Sequence, residues 1–339
     1  MRDKLPTMHD VAKLAGVSQP TVSRVLNQNT TAVQISEETR QRVLDAVREL
    51  GYRPNAVARS LRTQRTQMIA LLVADIANGF YHSIARAIQD VARQHDYEVV
   101  ISNSDHVYEH EKHFCEIVLG RGVDGVIMVP VHLTDDDLDH YVSQSRIPFV
   151  ALAQYVTHPS IDVVFVNDER AIYEATQWLI EAHEHTRVGY IGVPDHFPPG
   201  PRRFRGYSRA MRDAGLSINP RYLREGDFTM DGGAAAIQSL VESGDMPSAL
   251  IIVNDLMAIG AILALQEAGY NVPDDVAVVG FDDIREATIV RPTLTTIAQD
   301  PRDIGEKLAR ALFERIENPN INEKRIFESS YRLIQRQST

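Results

Sequence analysis

Residues 8–27, MHDVAKLAGVSQPTVSRVLN, leave room for little besides two short helices set across a tight turn. Behind Thr7, a capping residue, Val11, Ala12 and Ala15 recur at helical spacing, which predicts an amphipathic helix from Met8 to Ala15. Gly16 supplies the left-handed conformation that ends this helix, Val17 plugs the space between the helices, and the Ser18 hydroxyl caps the next one. Pro20 is tolerated in the first turn of the second helix, where Val22, Val25 and Leu26 face inward. Gln19, Thr21, Ser23, Arg24 and Asn27 are left outside. Such an outward set suits a DNA major groove, with arginine forked onto guanine, amides onto adenine and small hydroxyls onto phosphate. A helical hairpin with a merely polar face is the alternative.

The following segment favours the DNA reading. Ser36 caps a third helix, Glu37 to Glu49, whose Val43, Leu44, Val47 and Leu50 repeat at helical spacing before Gly51 ends it. Three helices close a core of their own. In YRPNAVARSLRTQRT, Pro54 stops the chain and Asn55 can cap Ala56 to Leu61, about two turns that are too short to stand alone and would order on a partner. Residues 1–66 carry 11 Lys plus Arg against 6 Asp plus Glu, a net of +5 in a chain whose total is −11. The basic end therefore meets DNA, and the acidic remainder discourages random contact with it.

A chain of 339 residues exceeds one typical core. From Met68 short apolar runs alternate with amphipathic ones: MIALLVA, then Phe80 to Gln94; EVVIS, then Tyr108 to Leu119; GVIMV, then Asp135 to Ser145; and PFVAL. After Asp162 the pattern restarts with VVFV, RVGYIG, SALIIV and VAVVGF between helices near Ala171 to Ala182, Arg203 to Ala214, Asp231 to Glu242 and Leu256 to Glu267. Such alternation predicts two doubly wound parallel-sheet lobes, with a ligand cleft at the strand ends between them.

GVSQPTVSRVLN, ISEETRQRVLDAVRELGYRPN and ARSLRT resemble the headpiece and hinge of the lactose and galactose repressor (LacI/GalR) family, and the resemblance runs over almost the whole chain to the return segment RPTLTTIAQDPRDIGEKLARAL. It implies a helix-turn-helix headpiece over 1–50, a hinge over 51–66, and over 67–339 an effector-binding and dimerisation body like the periplasmic sugar-binding proteins. Its first lobe is expected at about 67–161 and 293–320, the second at about 162–292 and 321–339. A ligand-responsive regulator follows, read as a repressor of a carbohydrate operon released by a sugar-type inducer. Corepressor dependence, or ligand capture with no DNA role, is the alternative. By the same resemblance a homodimer presents two headpieces to a pseudo-palindromic operator. Gln19 and Pro20 choose bases, Thr21 and Arg24 contact bases or phosphates, and Thr7, His9, Ser18, Ser23 and Asn27 join the DNA face. Tyr52, Arg53 and Asn55 support the hinge on the backbone, and Ala58 and Leu61 lie on a hinge helix whose Leu61 wedges into the minor groove.

In the cleft, the resemblance assigns the effector to Asp75, the aromatic pair Phe80 and Tyr81, Asn167, Arg203, Phe228, Asn254, Asp282 and Gln299. If the loop shifts, Arg202 or Arg205 replaces Arg203. Asp255 and Asp283 read as a helix cap and a loop anchor. The chain departs from the family where Ala153 replaces a charged residue, where Asn167 and Asp168 invert a usual Asp-Asn pair, where Ala171 replaces a Gly, and where Gly79 replaces a Pro.

No phosphate loop ending in Lys-Ser or Lys-Thr, dinucleotide fingerprint or nucleophile elbow occurs, so no enzyme is expected. His106, His110 and His113 fall at helical spacings in HVYEHEKH, either as a metal set or as the solvated edge that is the commoner use of such residues, and no metal or cofactor is assigned. The lone Cys115 reads as a packed thiol. With no signal peptide and no run of eighteen apolar residues, the expected location is the cytoplasm. The absence of a terminal Leu heptad favours a dimer over a tetramer.

Overall fold

The computed structural model describes residues 6–27, 35–52, 60, 65–145 and 147–339. The chain divides into two compact units, Met1–Thr66 and Gln67–Thr339.

In the first unit lie α1 (Met8–Ala15), α2 (Gln19–Asn27) and α3 (Glu37–Leu50). Thr7 and Asp10 start α1 with a reciprocal capping box, the Thr7 amide donating to the Asp10 carboxylate at 2.8 Å. Gly16 ends it at φ 66°, and the Val17 amide turns back to the Ala12 carbonyl at 3.0 Å. Val11, Ala12, Ala15, Val22, Val25, Val43 and Ala46 form the core, with Tyr52 closing it from beyond α3. Arg53, Asn55, Ala58 and Leu61 lie outside the described residues.

The second unit contains β1 (Met68–Val73), α4 (Gly79–Gln94), β2 (Glu98–Asn103), α5 (Tyr108–Arg121), β3 (Gly125–Met128), α6 (Asp135–Ser145), β4 (Phe149–Leu152) and β5 (Ile161–Val166). There follow α7 (Asp168–His183), β6 (Val188–Gly192), α8 (Pro199–Asp213), β7 (Leu223–Glu225), α9 (Met230–Glu242), β8 (Ala249–Ile252), α10 (Asp255–Glu267) and β9 (Ala277–Asp282). Last come β10 (Thr295–Gln299), α11 (Pro301–Glu317), β11 (Ile326–Ser329) and β12 (Tyr331–Ile334). Two six-stranded sheets result, ordered β11-β5-β4-β3-β1-β2 and β12-β10-β9-β8-β6-β7. Among the described residues every pairing is parallel except that of β12 with β10, as strands joined by crossover helices require.

This topology corrects the lobe boundaries read from sequence. Ile161–Val166, assigned to the second lobe, pairs with β4 in the first sheet. Thr295–Gln299, assigned to the first lobe, pairs with β9 in the second, and only α11 returns to pack on α4. Ile326–Ser329, assigned to the second lobe, is an edge of the first sheet beside β5. The chain thus passes between sheets three times, after Val166, after Gln299 and after Ser329. An apolar run specifies a buried strand, but which sheet takes it depends on where the preceding crossover leaves the chain.

Asp162 anchors these passages. On β5, with 0% of its surface exposed, it accepts two 2.6 Å hydrogen bonds from the Arg315 guanidinium on α11. Arg325, just before β11, donates from its amide at 2.8 Å and from its side chain at 2.6 and 3.0 Å. Burial alone would raise the Asp162 pKa, but the two arginines hold it below the usual carboxylate value.

Candidate ligand cleft and nucleic-acid interface

The carboxyl ends of the strands in the two sheets face a cleft of about 940 Å³. The first lobe lines it with Phe80 and Tyr81 at the start of α4, Val129–Val131 after β3, and Ala153 to Tyr155 after β4. The second lobe contributes Phe197, Arg202 and Arg203, Phe228, Asn254, Asp282 and Gln299. The lining is apolar and aromatic with a few convergent polar groups, the composition that grips a small polyhydroxylated or aromatic ligand.

The polar cluster depends on how α8 sits. Gly206 lies against the Glu169 carbonyl of α7, where a Cβ would come within 2.2 Å of that oxygen, so only glycine permits this approach. With the helices this close, Asp168 accepts a bidentate pair from Arg202 at 3.0 and 2.9 Å, and a third hydrogen bond from Arg203 Nε at 3.3 Å. Arg203 also donates to the Val253 carbonyl and lies over the Phe281 ring, 3.8 Å from its centroid. Asp282 sits opposite at a positive φ of 121° and accepts from Gln299 Nε2 at 2.7 Å. Burial pushes its carboxyl up to about 7, against the opposing pull of Arg203 and Gln299. Behind it, Asp255 is raised by burial and by the Asp282 charge while accepting from Thr296 Oγ1 at 2.6 Å and the Ile284 amide at 2.9 Å.

In the headpiece, the outer surface of α2 exposes Gln19, Pro20 and Arg24 and half-exposes Thr21 and Ser23, while Ser18 is exposed just ahead of it. Ser18 accepts from the Thr21 amide at 3.4 Å, and Gln19 Nε2 lies 3.1 Å from His9 Nδ1, tying α2 to α1.

Residues 7–55 match the family model of bacterial regulatory proteins of the lacI family, and residues 151–339 match that of the periplasmic binding protein-like domain. Over 334 residues, 98% of this chain and 99% of the relative, it is 36% identical to the catabolite control protein A of Priestia megaterium. The chain belongs to the LacI family. It is a ligand-responsive, DNA-binding transcriptional regulator, with a helix-turn-helix headpiece and a periplasmic-binding-protein-like body. A lac repressor dimer bound to operator and the anti-inducer ONPF shares 30% identity and a TM-score of 0.85, with 99% of each chain covered. A transcriptional regulator CelR–cellobiose complex shares 31% identity and a TM-score of 0.74, with 98% of this chain and all of that one covered.

Of the effector residues named from sequence, this LacI-family regulator brings Phe80, Tyr81, Arg203, Phe228, Asn254, Asp282 and Gln299 to one cleft. Two stand outside its lining. Asn167 caps α7 by accepting from the Arg170 amide at 3.1 Å, and its neighbour Asp168 is the residue that faces the arginines. Asp75 accepts from the Ala77 amide at 2.9 Å, and its charge bears on the cleft residues Tyr81 and His106. Asn254 combines both readings, capping α10 through the Met257 amide and donating to the Phe228 carbonyl at 2.9 Å. Arg205 pairs with Glu169 at 3.0 Å, away from the cleft, so the alternatives narrow to Arg202 and Arg203. Asp255 and Asp283 act as anchors, Asp283 through Arg336 at 2.6 Å.

Tyr52, placed on the DNA backbone by the resemblance, belongs to the headpiece core. It is 8% exposed, packed with the apolar residues of the three helices. In the HVYEHEKH tract Glu109, His110 and His113 are exposed as on a solvated helix edge, and two residues depart from that reading. His106 precedes α5 and lines the cleft, and Glu111 is fully buried, its carboxylate accepting from the amides of Val131, His132 and Leu133 at 2.8, 3.1 and 3.0 Å. His110 and His113 lie beside Asp105 and Glu116, and among the described residues no group of three or more such side chains converges as a metal site. Cys115 is buried and free, its thiol pushed up to about 12 by burial. Among the described residues no helix is long and apolar enough to cross a membrane.

Proposed function

We propose that this LacI-family regulator is a repressor of a carbohydrate-utilisation operon and that a sugar lodged in the cleft releases it from its operator. The observation that carries the reading is the convergence of Arg203, Asp282 and Gln299 on one cleft whose aromatic walls come from both lobes. A forked cation and a carboxylate satisfy adjacent hydroxyls, and rings cover the apolar face of a pyranose. The relative solved with cellobiose supports the same class of ligand. Binding, not turnover, is the role proposed for the cleft, and Gln19, Pro20, Thr21 and Arg24 are proposed to read the operator.

The active species is proposed to be a homodimer. Val100 and Ile101, 45% and 38% exposed on the edge strand β2, together with Leu263 and Ile289 at 42% and 60%, leave apolar surface uncovered on both lobes. A similar chain was solved as a dimer on operator.

Selection of genomic fragments with the purified protein, then fluorescence anisotropy on the recovered site with and without neutral sugars, tests the proposal. A two-fold site released by a sugar is the expected result. A ligand that tightens operator binding would replace induction with corepression, and sequence-blind binding under every condition would overturn operator recognition.

A further inference from the structure

We propose that His106 is a specificity-determining ligand contact of the cleft, closing over the bound sugar from the first lobe and exchanging a hydrogen bond between its Nδ1 and one sugar hydroxyl. The inference rests on the sugar reading above and adds to it a residue and an atom.

His106 belongs to the short loop between β2 and α5, yet its ring is held by the other lobe. It stacks on Phe228 with centroids 5.1 Å apart and planes 12° apart, and meets Phe197 edge-on at 5.7 Å. Both partners follow strands of the second sheet. The loop adopts two consecutive left-handed residues, Asp105 at φ 52° and His106 at φ 56°, a conformation that requires support from its surroundings. That support comes from His132, whose Nε2 donates to the His106 carbonyl at 2.8 Å. The His132 amide in turn donates to the buried Glu111 carboxylate. On the opposite side, Phe228 is itself left-handed at φ 68° and pinned through its carbonyl by Asn254. Each ring is thus fixed from its own lobe, and the two meet where the lobes meet.

Within this arrangement His106 Nδ1 is buried and has no hydrogen-bond partner among the described residues. Buried polar atoms in folded proteins are nearly always satisfied, so an orphan on a ring lining an open cleft calls for a partner from the ligand. A hydroxyl both donates and accepts, so it satisfies the nitrogen in either tautomer of the neutral ring, whereas a carboxylate or an ammonium would match only one. Burial, followed by the nearby His132, lowers the His106 pKa against the opposing charges of Asp75, Asp105 and Asp227, consistent with a neutral ring.

The test uses the full chain and titration calorimetry with cellobiose, ribose, glucose and galactose, followed by the monodeoxy analogues of whichever sugar binds. His106→Phe keeps the stacking ring and removes the nitrogen. It is expected to weaken that sugar roughly tenfold, with His106→Gln intermediate. One deoxy analogue is expected to lose the same factor on the wild type and nothing further on His106→Phe, the signature of a direct pair. Thermal melting controls for folding. If His106→Phe fails to fold, the same deoxy comparison on His106→Gln decides. Wild-type affinity for the variant, or equal losses for every deoxy analogue, would overturn the His106 contact and leave the sugar reading intact. Failure of all four sugars to bind the wild type would overturn both.

Discussion

The Arg203 guanidinium lies over the Phe281 ring, 3.8 Å from its centroid, and so presents its edge to Asp168 while the ring covers its apolar face. Asp168 is shared with Arg202, whose bidentate grip holds the carboxylate in place and leaves Arg203 only one hydrogen bond to it. The arginine is thereby oriented before any ligand arrives, which lowers the ordering cost of binding.

Arg203→Lys retains the charge but loses the planar fork. Its affinity for the proposed inducing sugar is expected to fall about 100-fold, equivalent to about 3 kcal/mol. Operator affinity without sugar should be unchanged, so anisotropy would report a repressor that no longer releases. Equal sugar affinity in calorimetry would remove Arg203 from the ligand.

Sugar affinity should also depend on pH through Asp282. Burial raises its pKa to about 7, while Arg203 and Gln299 favour its charged form and buried Asp255 lies nearby. The ionised carboxylate accepts hydroxyl hydrogen bonds with both oxygens, so affinity is expected to rise as pH rises through that value. Calorimetry between pH 6 and 8 should show the rise in wild type and its loss in Asp282→Asn. An unchanged slope in the variant would assign the titration to another group.

Removing the Asp162 carboxylate leaves Arg315 and Arg325 facing a buried void. Asp162→Ala is expected to destabilise the body by about 3–5 kcal/mol, read as a fall in the urea midpoint. Because its folded pKa is depressed, the contribution of Asp162 is present above the unfolded carboxylate value of about 3.9 and is lost as pH falls through the lower folded value. The difference between wild type and variant should therefore shrink in acid. A constant difference would locate the effect in packing alone.

Gly206→Ala places a methyl group against the Glu169 carbonyl, and α8 must shift to accept it. A cost of about 1–3 kcal/mol in stability is expected, together with weaker sugar binding, since Arg202 and Arg203 move with the helix. Unaltered melting would mean that the two helices separate without strain.

For the headpiece, Arg24→Ala should weaken operator binding and, if Arg24 meets a phosphate, lower the slope of log affinity against log salt by about 1. A slope that stays the same while sequence preference broadens would identify a base contact instead.

The helices and strands were legible because their apolar periods are strong. The caps at Thr7, Ser36 and Asn254, and the left-handed stops at Gly16 and Gly51, mark their ends in the residue types themselves. What could not be read was long-range. Nothing local separates IDVVFV, which joins the first sheet, from the strands of the second, and β11 and β12 part company around Ser330 without any change of composition. The choice between Asn167 and Asp168 turned on a single residue of helix phase, which decides whether a side chain folds back on its own helix or enters the cleft. His106 carried a faint signal in SNSDH after a strand, but its stacking partner lies 122 positions later at Phe228. Glu111 carried none, since its burial depends on three amides from another loop.

The triple passage between sheets also orders the synthesis of this chain in time. The first sheet gains its edge strand, and Asp162 its arginines, only when residues 315–329 have left the ribosome. The headpiece, with its core complete by Tyr52, can condense early. A nascent regulator is therefore expected to hold a DNA-reading surface well before it holds a cleft capable of answering a ligand.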